Sequence, residues 1–548
     1  MRATLNVLTA LVAIAAATAA SAAPPLPSPP PAPPPRLLIV ISIDQLSSDL
    51  FDQYRPLFSG GLARLARGTV FRNGYQSHAA SETCPGHSTI LTGVRPAGNG
   101  IVANLWIDQK TARPDKSVYC AEDETVAGST STAYTVASVH LRVPTLGDLL
   151  KQGSPRSRVV AVAGKDRSAV MMTGRRPDQR WYWSSKGFVS DLPGAASGAA
   201  QRTNAAVSTL IAAPQPPLDP PTACAARATP IAVEGGGQPV GNGRFARAAG
   251  NTAGFRASPA FDGAVLALAA ALVGDLRLGA DKAPDILALG LAGTDYVGHT
   301  YGLGGQEMCL QLLSLDRDLG DFFRLLDRAG IDYAVALTAD HGGLDIPERL
   351  RANGVADAAR VDPELAATRV GRGIGDQLGL TGKILHGDFA GDVWLDRALK
   401  PADRARVSAA AIARYRAHPQ VEGVFTAKEI AATPIATTTP DRWTMAERLR
   451  ASFDPARSGD LLVVLKRNIT PIVDTRAYIS THGSLWDYDR RVPILLWRPA
   501  MQHSEREQPI ETVDIMPTLA AMLGLTSKPL KVDGKCLLGI QGVACPPR

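Results

Sequence analysis

A chain of 548 residues, 45% hydrophobic and 20% charged, has the material for an extensive core and exceeds what one simple domain holds, so one large domain with insertions or a smaller partner is expected. The net charge of +7 is spread over the whole length, with no basic run interleaved with aromatics, which argues against a specific nucleic-acid partner. Beyond the first residues no stretch is long and apolar enough to cross a bilayer.

Residues 1–23 read as a secretory signal peptide: Arg2, a Leu/Val/Ala-rich run, then Ala20-Ser21-Ala22-Ala23. The competing reading is an uncleaved anchor. A cleaved signal makes the mature protein periplasmic or secreted. Residues 24–35 are almost wholly Pro, Ala, Leu and Ser and predict an extended polyproline linker. From Arg36 the pattern predicts a strand over 37–43, a helix reaching Arg67, a strand over 70–75, and a sharp turn at Thr83 with a helix from near His87 to near Gly93. A helix over 143–152 and a strand over 158–162 form a further repeat, followed by Gly164-Lys165-Asp166-Arg167.

Residues 190–256, rich in Ala, Pro, Gly and Thr, show little periodicity and read as a cap-like excursion over a site. A helix over 261–273, a strand over 285–289, a long helix over 305–329 and a strand over 333–337 resume the core pattern. Asp316 and Asp318 fall on that long helix and read as surface positions. A small α+β insertion is expected over 345–468, with a strand at 393–395, a helix over 401–417 and a strand over 421–425. The core then returns over 469–548, with a strand over 492–497 and a closing helix over 513–523. The first part of the core spans 36–344. The fold class is therefore α/β, a mostly parallel central sheet flanked by helices.

Six cysteines in an exported chain permit disulfides. Cys536 with Cys545 is the expected pair and Cys120 with Cys224 a second, leaving Cys84 and Cys309 free.

Chemistry gathers at strand ends. Asp44 closes the first apolar run, Asp295 and His299 follow another, Asp340 and His341 a third, and His482 precedes a fourth. In an open α/β sheet those ends form the ligand-binding edge. Three Asp, three His and the Thr83 hydroxyl are enough for two adjacent zinc sites with nitrogen and oxygen ligands. Such ions can activate a threonine, a poor nucleophile at its own pKa, and stabilise a leaving oxygen. Each residue also has a plainer reading: Asp44 as a helix cap, Asp340-His341-Gly342-Gly343 as a polar turn, His482-Gly483 as a loop closure, Asn104 as a turn support, Lys165 and Arg167 as an exposed turn. His87 reads as packing or hydrogen-bonding beneath the turn rather than binding metal, and Tyr296 as core, with a substrate contact as its alternative.

Taken together, Asp44, Thr83-Cys84-Pro85-Gly86-His87, Asn104, Asp295-Tyr296-Val297-Gly298-His299, Thr338-Ala339-Asp340-His341-Gly342 and Thr481-His482-Gly483 resemble the alkaline phosphatase superfamily. Within it the chain is similar to secreted bacterial phosphomonoesterases built on the core of nucleotide pyrophosphatase/phosphodiesterases. The resemblance implies a phosphorylated Thr83 that shares one zinc with Asp44, Asp340 and His341. The second zinc falls to Asp295, His299 and His482, giving two Zn2+ per chain. Asn104, Lys165 and Arg167 would bind the phosphate, the last two supplying charge for a dianionic monoester. Small-molecule phosphate monoesters and a monomeric state are expected. The runner-up is a phosphodiesterase, nucleotide pyrophosphatase or phosphonate hydrolase. A sulfatase is disfavoured because Pro85 directly follows Cys84, breaking the Cys-x-Pro-x-Arg motif. From another class, a catalytically inactive periplasmic metal- or phosphate-binding protein would not need the Thr83 hydroxyl.

Overall fold

The computed structural model describes residues 33–525 and 530–547. The expected signal peptide and all but the last three residues of the expected linker lie outside them.

The strand Leu37–Ile43 is buried at every position. It pairs in parallel with Asp285–Leu291 on one side and Tyr333–Thr338 on the other, so both of its faces must be covered, which explains an apolar run without alternation. Val159–Ala163 and then Gln179–Ser184 extend the parallel half. On the opposite side Arg491–Trp497 enters antiparallel between Tyr333–Thr338 and Thr69–Tyr75. The result is a ten-stranded, mixed, mostly parallel sheet, the α/β class expected.

Alternate residues of the central strand feed two cores. Leu37, Ile39 and Ile41 pack with the helices Pro259–Asp275 and Gln306–Arg328, whereas Leu38 and Val40 pack with Thr83–Thr92, Asp166–Thr173 and Ile515–Met522. Asp316 is not a surface residue. Its buried carboxylate accepts hydrogen bonds from the N–H groups of Ser59, Gly60, Leu62 and Ala63 at 2.6–3.2 Å, satisfying the start of the helix Gly61–Leu65.

The 190–256 excursion contains a fifteen-residue helix, Gly198–Ala212, that the sequence pattern does not announce. Its buried face is Ala199, Ala200, Thr203 and Val207, small and partly polar side chains that leave no apolar stripe to read. Further on, Leu385–Gly387, Gly391–Leu395, Val421–Thr426 and Leu461–Leu465 form a separate antiparallel sheet with its own core beneath the helices Ala367–Leu378 and Pro401–Arg416. The parallel pair Ala359–Arg360 and Ile469–Thr470 joins the two ends of this unit. Trp394 leaves it to pack against the cluster around Cys84 and Trp106.

The disulfides are Cys84–Cys120, Cys224–Cys309 and Cys536–Cys545. Only the last was expected; Cys120 does not pair with Cys224, and neither Cys84 nor Cys309 is free. Cys309 sits on the buried face of the long helix, and the excursion lays Cys224 over it with the Cα atoms 5.4 Å apart, a proximity that sequence spacing does not carry. Among the described residues no helix is long and apolar enough to cross a membrane.

Candidate active site

The parallel strands deliver their polar residues to one edge. Asp44 directly follows Leu37–Ile43, Lys165 caps the helix after Val159–Ala163, Asp295 lies in the first turn of Gly293–Tyr301 after Asp285–Leu291, and Asp340 and His341 follow Tyr333–Thr338. The helix at the Thr83 turn begins at Thr83 itself, four residues before the expected start. Pro85 is tolerated there because a first-turn N–H has no partner within the helix. A side chain at Gly86 would overlap the Asp340 carbonyl oxygen, so glycine lets the Thr83 helix rest on the strand end.

These residues form two adjoining clusters. Asp295, His341 and His482 offer ligand atoms within 4.8 Å of one another, and so do Asp44, His87 and Asp340. His299 joins the first group, with its Nε2 3.2 Å from Asp295 Oδ1. His341 faces both groups: its Nε2 is 3.2 Å from Asp340 Oδ2 and its ring stacks on His482 at 3.5 Å. His87, expected to pack or hydrogen-bond beneath the turn rather than bind metal, does hydrogen-bond there, its Nδ1 lying 2.9 Å from the Thr83 carbonyl. Its Nε2 nevertheless stands 3.4 Å from Asp44 Oδ1, in a ligand's position.

The donor chemistry fits divalent metal. The Nδ1 atoms of His299, His341 and His482 meet the carbonyls of Ser480, Gly342 and Ser81 at 2.7, 2.8 and 2.9 Å. A carbonyl can only accept, so each Nδ1 carries a proton, and in the neutral ring the lone pair is then on Nε2. Asp44 Oδ1, Asp295 Oδ1, Asp340 Oδ2 and His341 Nε2 are buried without hydrogen-bond partners, and Asp44 Oδ2 meets only the Lys165 ammonium. Buried acceptors left open in this number are costly unless a cation completes them.

Lys165 lies between the clusters, its ammonium 2.6 Å from Asp295 Oδ2, 3.0 Å from Asp44 Oδ2 and 3.5 Å from Thr83 Oγ1. Burial works against its charge, but Asp295 and Asp44 prevail and raise its pKa. Burial likewise opposes ionised Asp295, which His299 and Lys165 hold well below the usual carboxylate range. For His87 burial again opposes charge, and Asp340 and Asp44 lift it to about 10.

Asn104 is set from two sides. Its side-chain oxygen accepts from Cys84 N–H at 2.8 Å, and its own N–H donates to Glu82 Oε2 at 2.6 Å. Arg167 is not on a strand with Lys165; it occupies the first turn of Asp166–Thr173, and its Nη1 donates to Tyr119 Oη at 3.4 Å. The hydroxyls of Tyr119 and Tyr134 both donate to Asp166, at 2.7 Å. Glu82, Tyr119, Tyr134 and Asp166 escape a sequence reading. The signals available were slight: Glu82 adjoins Thr83, and Tyr119 adjoins a cysteine whose disulfide partner follows Thr83. That disulfide also removes Cys84 as a free thiol.

The family model for type I phosphodiesterase / nucleotide pyrophosphatase matches residues 38–484. Alkaline phosphatase PhoK of a Sphingomonas species is 48% identical over 509 residues, 92% of this chain and 91% of that one. Alkaline phosphatase PhoD of Zymomonas mobilis is 42% identical over 507 residues, 92% of this chain and 88% of that one. The crystal structure of alkaline phosphatase PafA, 24% identical, shares the fold with a TM-score of 0.80 over 93% of this chain and 99% of that one. Strand-edge Asp/His clusters, a threonine at a helix start and this depth of identity converge: the chain belongs to the alkaline phosphatase superfamily, on the branch related to nucleotide pyrophosphatase/phosphodiesterases.

Proposed function

We propose that this enzyme hydrolyses phosphate monoesters outside the cytoplasm, with Thr83 as nucleophile and two zinc ions as cofactors. The observation that carries the reading is the Thr83 hydroxyl at a helix start beside two buried Asp/His clusters and an internal ammonium. Asp44, Asp340, His341 and the Thr83 oxygen would hold one ion, with His87 as a further candidate, and Asp295, His299 and His482 the other. Bound zinc would lower the pKa of the hydroxyl and offset charge on the leaving oxygen.

Thr83 Oγ1 forms a bond to phosphorus as the ester P–O bond breaks and the alcohol leaves; water then hydrolyses the phosphothreonine and restores the hydroxyl. Asn104 is held by Glu82 and the Cys84 N–H so that its amide nitrogen is free for a phosphate oxygen. Arg167, fixed by Tyr119, and Lys165 supply positive charge that suits a dianion. This charge favours the monoester over the diester reading. In this reading residues 345–468 are an insertion that brings Trp394 to the nucleophile's turn. Three disulfides and the signal-like start agree with periplasmic or secreted work.

The test compares p-nitrophenyl phosphate with bis-p-nitrophenyl phosphate, with metal analysis alongside. Expected are two equivalents of zinc, loss of activity on chelation, faster monoester cleavage, and acid-stable phosphate on the Thr83 peptide. Phosphate on another residue reassigns the nucleophile, and faster diester cleavage replaces the reading.

A further inference from the structure

At the rim of the cleft three side chains stand outside the ligand clusters. Tyr296 follows Asp295 on the helix Gly293–Tyr301, with its ring centroid 5.3 Å from the Lys165 ammonium and 4.9 Å from the Arg256 guanidinium carbon. Arg256 ends the short helix Thr252–Arg256 of the excursion. On the other side Tyr478, 42% exposed, lays its ring 4.7 Å from that of His299. Tyr478 thus borders the Asp295, His341 and His482 cluster through His299.

The two cations beside Tyr296 are not equivalent. Lys165 already has two carboxylate partners, Asp44 and Asp295. Arg256 is half-buried and, among the described residues, pairs with no carboxylate, whereas Arg360, also of intermediate exposure, pairs with Glu348. Its guanidinium is held on the aromatic face, which fixes its position and leaves its N–H fork unused. A fork of that kind suits a carboxylate or phosphate. Through Tyr296 it is joined to the helix that carries Asp295 and His299, two of the residues that would hold the leaving-group ion.

We infer that Arg256, with Tyr296 and Tyr478, forms a leaving-group subsite that favours phosphate monoesters whose alcohol carries a second anionic group, a carboxylate or a further phosphate. The inference rests on the monoesterase reading of the cleft. The contact is made far from the reacting phosphorus, so it acts equally on bound substrate and transition state and is read in KM rather than kcat.

Phenyl phosphate and 4-carboxyphenyl phosphate differ only by a remote charge, and comparing each variant with wild type on the same ester cancels the difference in leaving-group chemistry. Arg256→Ala should lower kcat/KM for the carboxylated ester about tenfold through KM, with less than about a twofold change for phenyl phosphate. Arg256→Lys should recover part of the loss. Equal changes on both esters, or none on either, overturn the inference while leaving the monoesterase reading intact. A wild-type enzyme that cleaves neither ester overturns that reading and the inference with it.

Discussion

Lys165 is surrounded by a hydroxyl and two carboxylates, and nothing in the order of residues around it foretold those partners. The sequence could place it after a strand beside Arg167; only the fold shows that it spans Asp44 and Asp295. Truncating one partner of a buried charge cluster leaves the others uncompensated, at a cost of about 3–5 kcal/mol. Lys165→Met should therefore destabilise the chelated protein by about that amount, and zinc should restore much of the loss; denaturation with and without metal measures both. Arg167 touches no carboxylate of either cluster and isolates the substrate role. Arg167→Ala should reduce monoester kcat/KM by on the order of 10-fold or more, spare diester cleavage, and leave metal content unchanged. Equal losses on both substrates would assign Arg167 to support of the fold. The legible residues were those whose type and strand-end position coincide, such as Asp44 and Asp340. His87 and Glu82 gain meaning only from what the fold brings opposite them.

Elements were legible where an apolar period ran long, and their interiors less so. The helix Gln306–Arg328 could be read from its stripe, but not the fact that Asp316 on it caps a helix far back in the chain. Asp316→Ala would strand four N–H groups and should cost about 2–4 kcal/mol, with Asp316→Asn losing less; chemical denaturation reads the difference. The helix Pro259–Asp275 carries a second buried acid. Asp262 accepts from Gly293 N–H and Gln311 Nε2 at 2.8 and 2.9 Å, and burial raises its pKa from 3.8 to about 7. Between those values the native state binds a proton that the unfolded chain has released, so stability falls as pH rises through the window, by up to roughly 1.4 kcal/mol per unit. Asp262→Asn should flatten that slope in metal-free protein. A slope unchanged by the substitution would place the titration elsewhere. Gln311 Oε1, buried without a partner, offers an acceptor for the extra proton once its amide turns.

Over the whole molecule the class of fold, the parallel strand edge and the family were accessible, because each depends on local runs and their order. Long-range pairing was not. Two of three disulfides differ from expectation: Cys224–Cys309 joins segments that meet only after the excursion and the long helix pack, and Cys84–Cys120 joins the Thr83 helix to a residue 36 positions on that reaches it within a shared apolar cluster. Cys224–Cys309 closes a separation of 85 residues and ties the excursion to the core. Replacing both cysteines with serine should lower stability by about 3–5 kcal/mol, measured by denaturation, without altering metal content.

Cys84–Cys120 carries a consequence in time rather than in space. The bond joins the residue after Thr83, the proposed nucleophile, to the residue after Tyr119, which accepts a hydrogen bond from Arg167. In a reducing cytosol those two sulfurs stay apart. A newly made chain thus remains one covalent tether short of its finished Thr83 turn until it reaches an oxidising compartment.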